Sequence, residues 1–278
     1  MLRKVKGWVI LRKKGIVVSM ICFLLMSTSI MTVSAKQGNE DERQTVPLPT
    51  LQTEYPGVVF VKGDTTTKQI ALTFDDGPDP RFTGQVLDKL TTYDVPATFF
   101  VLGMRVNSNP DLLRRINSEG HEVGNHTFSH PNLTNASVDE LVQEVTDTEQ
   151  AVEAVIGYRP RLFRPPYGFI TRPQVERLAE LNNSIIGWDV DTNDWQGIPA
   201  EEVAQTVLQT TNAGSIVLMH DGGDVTRLIQ LSILLMHWMK LFQLYKTRVT
   251  PLLLFLNYLG FRELNKEKSK LSSSLLSI

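Results

Sequence analysis

Apolar and polar positions follow two different periods along the middle of the chain, and the two periods take turns. QIALTF (69–74), ATFFVLG (97–103), His121–Gly124, RLFR (161–164), SIIGWDV (184–190) and SIVLMH (215–220) are short apolar runs that predict strands. Between them, FTGQVLDKLTTYD (82–94), 109–119, 137–157, 171–182 and 199–211 space their apolar residues as one face of a helix does. The punctuation agrees with this reading. Asn109-Pro110 opens one helix and Gly120 lies just past its end. Ser137-Val138-Asp139-Glu140 is a capping box opening another, which stops near Gly157. Six strands alternating with helices predict a parallel sheet with helices outside it, closed as a barrel rather than left open.

Composition adds boundaries to this picture. The chain has 278 residues, 42% apolar and 21% charged, which suits one large domain or two small ones and excludes a wholly disordered chain. A single cysteine, Cys22, excludes a disulfide framework and a cysteine-based zinc cluster. The net charge of -2 divides into +6 over residues 1–35, -14 over 36–224 and +6 over 225–278. The first part joins a basic stretch (1–14) to an uncharged, apolar one (15–35) that ends Val33-Ser34-Ala35. This predicts a cleaved export signal or an uncleaved membrane anchor, and either places the remainder outside the cytoplasm. Residues 36–67, polar and holding Pro47, Pro49 and Pro56, read as a spacer, which leaves 68–224 as the main domain. The -14 of the middle segment argues against nucleic acid as a partner.

The chemically loaded residues fall at one kind of place. Asp75-Asp76, His126 with His130, Arg164, Asp191 and His220 each lie at or just past the C-terminal end of a predicted strand. In α/β barrels that rim is where the βα loops converge on an active site. Asp75 and Asp76 can serve one site only if the backbone turns between them, and Gly77-Pro78 permits that turn. An i, i+4 histidine pair plus a carboxylate is a common set for a divalent metal with open positions. Arg164-Pro165-Pro166-Tyr167 joins a fixed cation to a stiff backbone whose next free N–H, that of Tyr167, suits an oxyanion. Asp189-Val190-Asp191-Thr192-Asn193-Asp194-Trp195 supplies three carboxylates and an indole, and His220 is a candidate proton donor.

TFDDGP, HTFSH, RPPYG, DVDTNDW and LMH, in this order and at these spacings, resemble the five motifs of the polysaccharide deacetylase family, carbohydrate esterase family 4 with its NodB-homology domain. The resemblance covers about residues 68–224. It implies a deformed (β/α) barrel and a divalent metal, zinc before cobalt, nickel or manganese, used to remove acetyl groups from polysaccharides. By position it implies that Asp76, His126 and His130 hold the metal and that Asp75 is the general base, oriented by Arg164. It assigns the backbone N–H of Tyr167 to the oxyanion, proton donation to His220 with Asp191 as its charge partner, and the acetyl pocket to Trp195 and Leu218. An exported member faces the cell wall, so the expected substrate is the N-acetylglucosamine of peptidoglycan, with chitin oligosaccharides and acetylated xylan next, and the expected state is a monomer. The rival readings are a non-catalytic wall-binding protein and a hydrolase of esters or cyclic amides on the same scaffold.

The resemblance fades after Asp224. Residues 225–278 hold eight Lys/Arg, two Glu and no Asp, and they lack the helix and last strand expected of the family. The abrupt change reads as a shifted reading frame, with a membrane-associating tail or an atypical last helix and strand as alternatives. Closure of the barrel by this segment is therefore in doubt.

Overall fold

The structure, a computed structural model, describes residues 44–66 and 69–223. The export segment, the first part of the expected spacer and the atypical tail lie outside the described residues. Eight strands make one parallel sheet: β1 (Val59–Phe60), β2 (Ala71–Asp75), β3 (Thr98–Val101), β4 (Glu122–Asn125), β5 (Leu162–Phe163), β6 (Ser184–Ile186), β7 (Val190–Asp191) and β8 (Ile216–His220). Their order is β1-β6-β5-β4-β3-β2-β8-β7. The helices among the described residues are α1 (Leu48–Glu54), α2 (Thr83–Tyr93), α3 (Gly103–Ser108), α4 (Pro110–Ser118), α5 (Val138–Ile156), α6 (Arg172–Glu180) and α7 (Ala200–Thr210).

The connectivity forces the sheet to curl. β6 is second in the order and β7 last, yet only Gly187, Trp188 and Asp189 separate them. Four Cα steps reach at most about 14 Å, so the two ends of the sheet must approach each other. They are clasped by an antiparallel bridge between Lys62 and Ser215, beside which the N–H of Gly63 donates to the carbonyl of Gly214 at 2.8 Å. The result is the deformed β/α barrel that the motifs imply.

Alternation along the strands then sorts side chains. Leu72 and Phe74 of β2, Phe99 and Val101 of β3 and Val217 and Met219 of β8 pack outward, against Val86, Leu90, Leu113 and Val207 of the helices. Ala71, Phe100, Ile186 and Ile216 form a separate interior cluster. Thr73 and Asp75 follow Ala71 at intervals of two, and His220 follows Ile216 at an interval of four, so these polar residues point inward too. The helix boundaries follow the expected caps. Ser137 and Glu140 exchange both capping-box hydrogen bonds at the start of α5, which ends at Gly157 in the left-handed conformation, and Pro110 sits at the first turn of α4.

Three local expectations are corrected. From Val46 onward the expected spacer belongs to the fold. Leu48 and Leu51 of α1 are buried, and β1 pairs with β6 through Val59–Ile185 and Phe60–Ile186. A two-residue strand whose partner lies more than a hundred residues away carries little local signal. The single strand expected over 184–190 is two strands, broken at Gly187–Asp189 where the chain crosses between the sheet's ends. The short helix α3, read as part of a strand and loop, follows β3 directly. Among the described residues, no helix is long and apolar enough to cross a membrane.

Candidate active site

The register of β2 against β8 places Asp75 beside His220 at the C-terminal end of the sheet. Both point into the barrel mouth, where they line one cleft of about 510 Å³. Below Asp75 lies Arg164, with no exposed surface. Its guanidinium donates to Asp75 Oδ1 at 2.8 Å, Thr73 Oγ1 at 2.8 Å, and the carbonyls of Ile186 at 3.1 Å and Gly187 at 3.0 Å. It also lies 4.2 Å over the Phe100 ring. Burying a charge costs several kcal/mol unless its donors are satisfied and a counter-ion is near, and here both conditions hold. Burial raises the pKa of Asp75 above the ordinary carboxylate value, and the Arg164 charge holds that rise in check.

Asp76 turns out of the strand with a positive φ of 73°, which brings its carboxylate onto the same cleft as Asp75. Gly77 is required at this turn, because a Cβ there would lie 2.3 Å from Asp221 Oδ2. The N–H of Asp221 donates to the Asp75 carbonyl at 3.0 Å, and Asp221 Oδ2 accepts from the Thr83 hydroxyl at 2.6 Å.

The histidine pair stands on a loop after β4, not on a helix. Thr127 and His130 both have positive φ, of 71° and 63°. Glu144 of α5 accepts from the N–H groups of Phe128 and Ser129 at 2.8 Å each, which fixes the loop. His126 Nδ1 lies 2.8 Å from the Arg164 carbonyl. A carbonyl only accepts, so Nδ1 carries the proton and Nε2 offers its lone pair. Burial pushes the His126 pKa down to about 3 against the upward pull of Asp76, which keeps the ring neutral. Asp76 Oδ1 lies 3.5 Å from His126 Nε2 and 3.3 Å from His130 Nε2. It is buried and, among the described residues, has no hydrogen-bond partner. Three ligand atoms within 4.8 Å of one another, one of them an orphaned buried carboxylate oxygen, fit a divalent cation.

His220 corrects one sequence expectation. Its charge partner is Asp194, not Asp191. Asp194 Oδ1 lies 2.7 Å from His220 Nδ1, and Asp194 Oδ2 accepts from the His220 N–H at 2.8 Å. Burial lowers the His220 pKa, but Asp194, with Asp75 and Asp76, outweighs it and pushes the value up to about 10. Asp191 also lines the cleft, but its carboxylate accepts from the Asn193 N–H at 2.8 Å. Asn193 has a positive φ of 56°, and the short 3-10 turn Asp194–Gln196 that follows it returns the chain toward β8. Tyr167 also holds a positive φ, 60°, between the two prolines and Gly168. Such a conformation costs about 1–3 kcal/mol in a non-glycine residue, and strain of this kind gathers at functional sites. Among the described residues nothing accepts from the Tyr167 N–H.

Leu218 and Trp195 both line the cleft. Two further aromatic residues, Trp188 and Phe169, also line it and were not singled out from sequence. Trp188 stood inside a predicted strand, where a buried indole reads as core. Phe169 followed a motif that ended one residue earlier.

Comparison with known proteins agrees with this fold. Residues 62–186 match the model of the polysaccharide deacetylase family. A peptidoglycan-N-acetylglucosamine deacetylase of Bacillus cereus (strain ATCC 14579) is 45% identical over 152 residues, which cover 55% of each chain. A second Bacillus cereus protein of that name is 39% identical over 173 residues, covering 62% of this chain and 81% of the relative. A crystal structure of a peptidoglycan N-acetylglucosamine deacetylase superposes with a TM-score of 0.68 at 37% identity, covering 70% of this chain and 91% of that one. The chain spans only about half the length of the first of these relatives, and about a third of some others.

Proposed function

The chain belongs to the polysaccharide deacetylase family, and from that premise we propose that it is a zinc-dependent hydrolase that removes N-acetyl groups from cell-wall glycan, with peptidoglycan N-acetylglucosamine as substrate. One observation carries the reading. An orphaned carboxylate oxygen and two imidazole nitrogens converge on the same cleft as a buried Asp75–Arg164 pair and a His220–Asp194 pair. A metal triad, a base and an acid on one cleft is the set that hydrolysis of an amide needs.

Asp76, His126 and His130 would hold the cation. When bound, the cation polarises the amide carbonyl and acidifies water. Asp75, with a pKa raised by burial, takes the proton from the attacking water. Arg164 keeps Asp75 aimed into the cleft and limits how readily it becomes neutral. The unpaired N–H of Tyr167 donates to the oxygen that gains negative charge. His220, protonated because Asp194 faces it, gives its proton to the departing amine. Leu218, Trp188 and Trp195 wall the acetyl group and exclude water. The products are acetate and a free amine on the sugar. Residues 15–35 would direct the chain out of the cytoplasm to reach this substrate.

The test is acetate release from purified peptidoglycan, N-acetylglucosamine oligomers and acetylated xylan, with the protein stripped of metal and reloaded with zinc. Zinc-dependent release from the first two substrates is expected. No release from any N-acetylated glycan by zinc-loaded protein would overturn the reading.

A further inference from the structure

Leu48, the first residue of α1, is buried, and its side chain stands against the bare backbone of two glycines. A Cβ on Gly187 would lie 2.8 Å from Leu48 Cδ1, and one on Gly168 would lie 3.6 Å from the same atom. Both glycines adjoin the chemistry. Gly168 follows Tyr167, whose N–H is the proposed oxyanion donor. Gly187 offers its carbonyl to Arg164 Nη2 at 3.0 Å, and Arg164 in turn holds Asp75 Oδ1 at 2.8 Å. One methyl group therefore abuts both the turn that carries the oxyanion donor and the backbone that anchors the base.

The turn has little of its own to hold it. Tyr167 and Gly168 both have positive φ, 60° and 71°, and Tyr167 is 57% exposed. The Gly168 N–H donates to the Pro165 carbonyl at 3.0 Å and the Phe169 N–H to the Pro166 carbonyl at 3.1 Å, both within the turn. A positive φ in a non-glycine residue persists only where surrounding contacts over-determine it. Residues 46–60 supply such contacts. The Val46 N–H donates to the Ile170 carbonyl at 3.2 Å, and the Phe60 carbonyl accepts from the Gly187 N–H at 2.7 Å. Arg172 pairs with Glu54 through two hydrogen bonds of 2.8 Å. Exposed ion pairs fix geometry weakly, whereas a close-packed buried side chain passes on even a small change in volume. The Leu48 contact is the buried, close-packed one that reaches both glycines.

We propose that Leu48 is a positioning residue for the hydrolysis, setting the place of the Tyr167 N–H relative to Asp75. The inference rests on the deacetylase reading and adds the residue that holds its two halves in register. Oxyanion donors act through preorganisation, so an N–H that drifts loses its effect without any loss of the metal or the base. Truncating Leu48 to alanine opens a space beside two glycines, whose backbone has no side chain to resist moving into it. α1 thus carries one residue that serves the reaction, Leu48, and one that serves the fold alone, Leu51, which packs among Val59, Val61 and Ile185.

The test compares wild type with Leu48→Ala, Leu48→Met and Leu51→Ala, all zinc-loaded. Acetate release from the β-1,4-linked N-acetylglucosamine tetramer gives kcat and KM, and amide hydrogen exchange read by mass spectrometry reports on residues 165–171 without turnover. Leu48→Ala is expected to lose roughly 10-fold in kcat with KM within about 2-fold, since removing an oxyanion donor outright costs about 100- to 1,000-fold. Exchange at Gly168 and Phe169 should quicken in the same variant. Leu48→Met conserves the volume and should restore both readouts. Leu51→Ala should lose comparable stability yet keep kcat within about 2-fold and leave exchange over 165–171 unchanged. If Leu48→Ala does not fold, Leu48→Val carries the same comparison with a smaller deficit. Wild-type kcat in Leu48→Ala, a kcat loss without faster exchange, or equal losses in Leu48→Ala and Leu51→Ala would each overturn the proposal. If wild type releases no acetate but exchange over 165–171 responds to Leu48 alone, the deacetylase reading fails and the hold of Leu48 on the turn stands. If wild type is active and Leu48→Ala cannot be told from it, the positioning role fails and the deacetylase reading stands.

Discussion

Replacing Asp194 by Asn tests the pairing that distinguishes the structure from the sequence reading. Asparagine keeps the shape and one acceptor for His220 Nδ1–H but removes the charge 2.7 Å away. Burial lowers the His220 pKa, and only the surrounding carboxylates lift it to about 10. A proton donor works in its protonated form, so activity falls as pH rises through this pKa. At pH 8 a group with a pKa of about 10 is about 99% protonated, whereas one at or below the ordinary value of 6.5 is at most about 3% protonated. The variant should lose up to roughly 30-fold in kcat at pH 8, and less by what Asp75 still contributes, with the deficit narrowing as pH approaches 6. A cation on Asp76 removes that residue's share of the upward push, so the displacement of the alkaline limb between wild type and variant is the measured quantity. Linkage gives a second readout. The folded pKa lies above the unfolded one, so this pair's contribution to stability is full below about 6.5 and is lost as pH rises through about 10. Urea unfolding at pH 6 should show a larger deficit for Asp194→Asn than unfolding at pH 10. Asp191→Asn is the control and should leave the limb in place. An Asp194→Asn profile that overlays wild type, or an Asp191→Asn profile that moves, would refute the assignment.

Three other outcomes follow from the same geometry. Arg164→Met strands the Asp75 carboxylate in the barrel interior, and the unfolding free energy should drop by about 3–5 kcal/mol in urea titration, where a surface arginine would cost almost nothing. His130→Ala removes one of three convergent ligand atoms, and zinc retained after dialysis against a weak chelator should fall well below the wild-type stoichiometry while far-ultraviolet circular dichroism is unchanged. Leu51→Ala should cost about 2–5 kcal/mol, because Leu51 is fully buried among Val59, Val61 and Ile185; a chain in which 46–62 were a spacer would show no change.

What was legible in the sequence was whatever local pattern determines. Capping at Ser137 and Glu140, the stop at Gly157 and the apolar runs of β2, β3 and β8 need no distant partner to be recognised. The rim position of Asp75, His126, Arg164 and His220 was also legible, since a strand's end and a period of two are local facts. Residues 58–61 were not legible as part of the sheet, because a strand of two residues is defined by Ile185 and Ile186, not by its own pattern. The burial of Arg164 was not legible from its place before Pro165. That burial depends on Thr73 and Asp75 of one segment and Ile186 and Gly187 of another, both distant from Arg164 in sequence.

The pairing of His220 with Asp191 was implied by the family resemblance, and the structure replaces it with Asp194. Asp191 belongs to β7 and pairs with Leu218 of β8, two residues before His220 in the same strand. The chain does not continue as a strand. β7 ends after two residues, Asn193 takes a left-handed backbone, and the turn brings Asp194 back over the end of β8. Asn193 was the available signal, because asparagine tolerates positive φ better than most residues and here it sits inside a run of four turn-forming polar residues, Asp191 to Asp194. Here the carboxylate just past the reversal faces the neighbouring strand, β8. The same logic accounts for Asp76, His130 and Tyr167, which also reach the cleft through positive φ. Strand alternation places Asp75, Leu218 and His220, and left-handed turns aim Asp76, His130, Tyr167 and Asp194 at them.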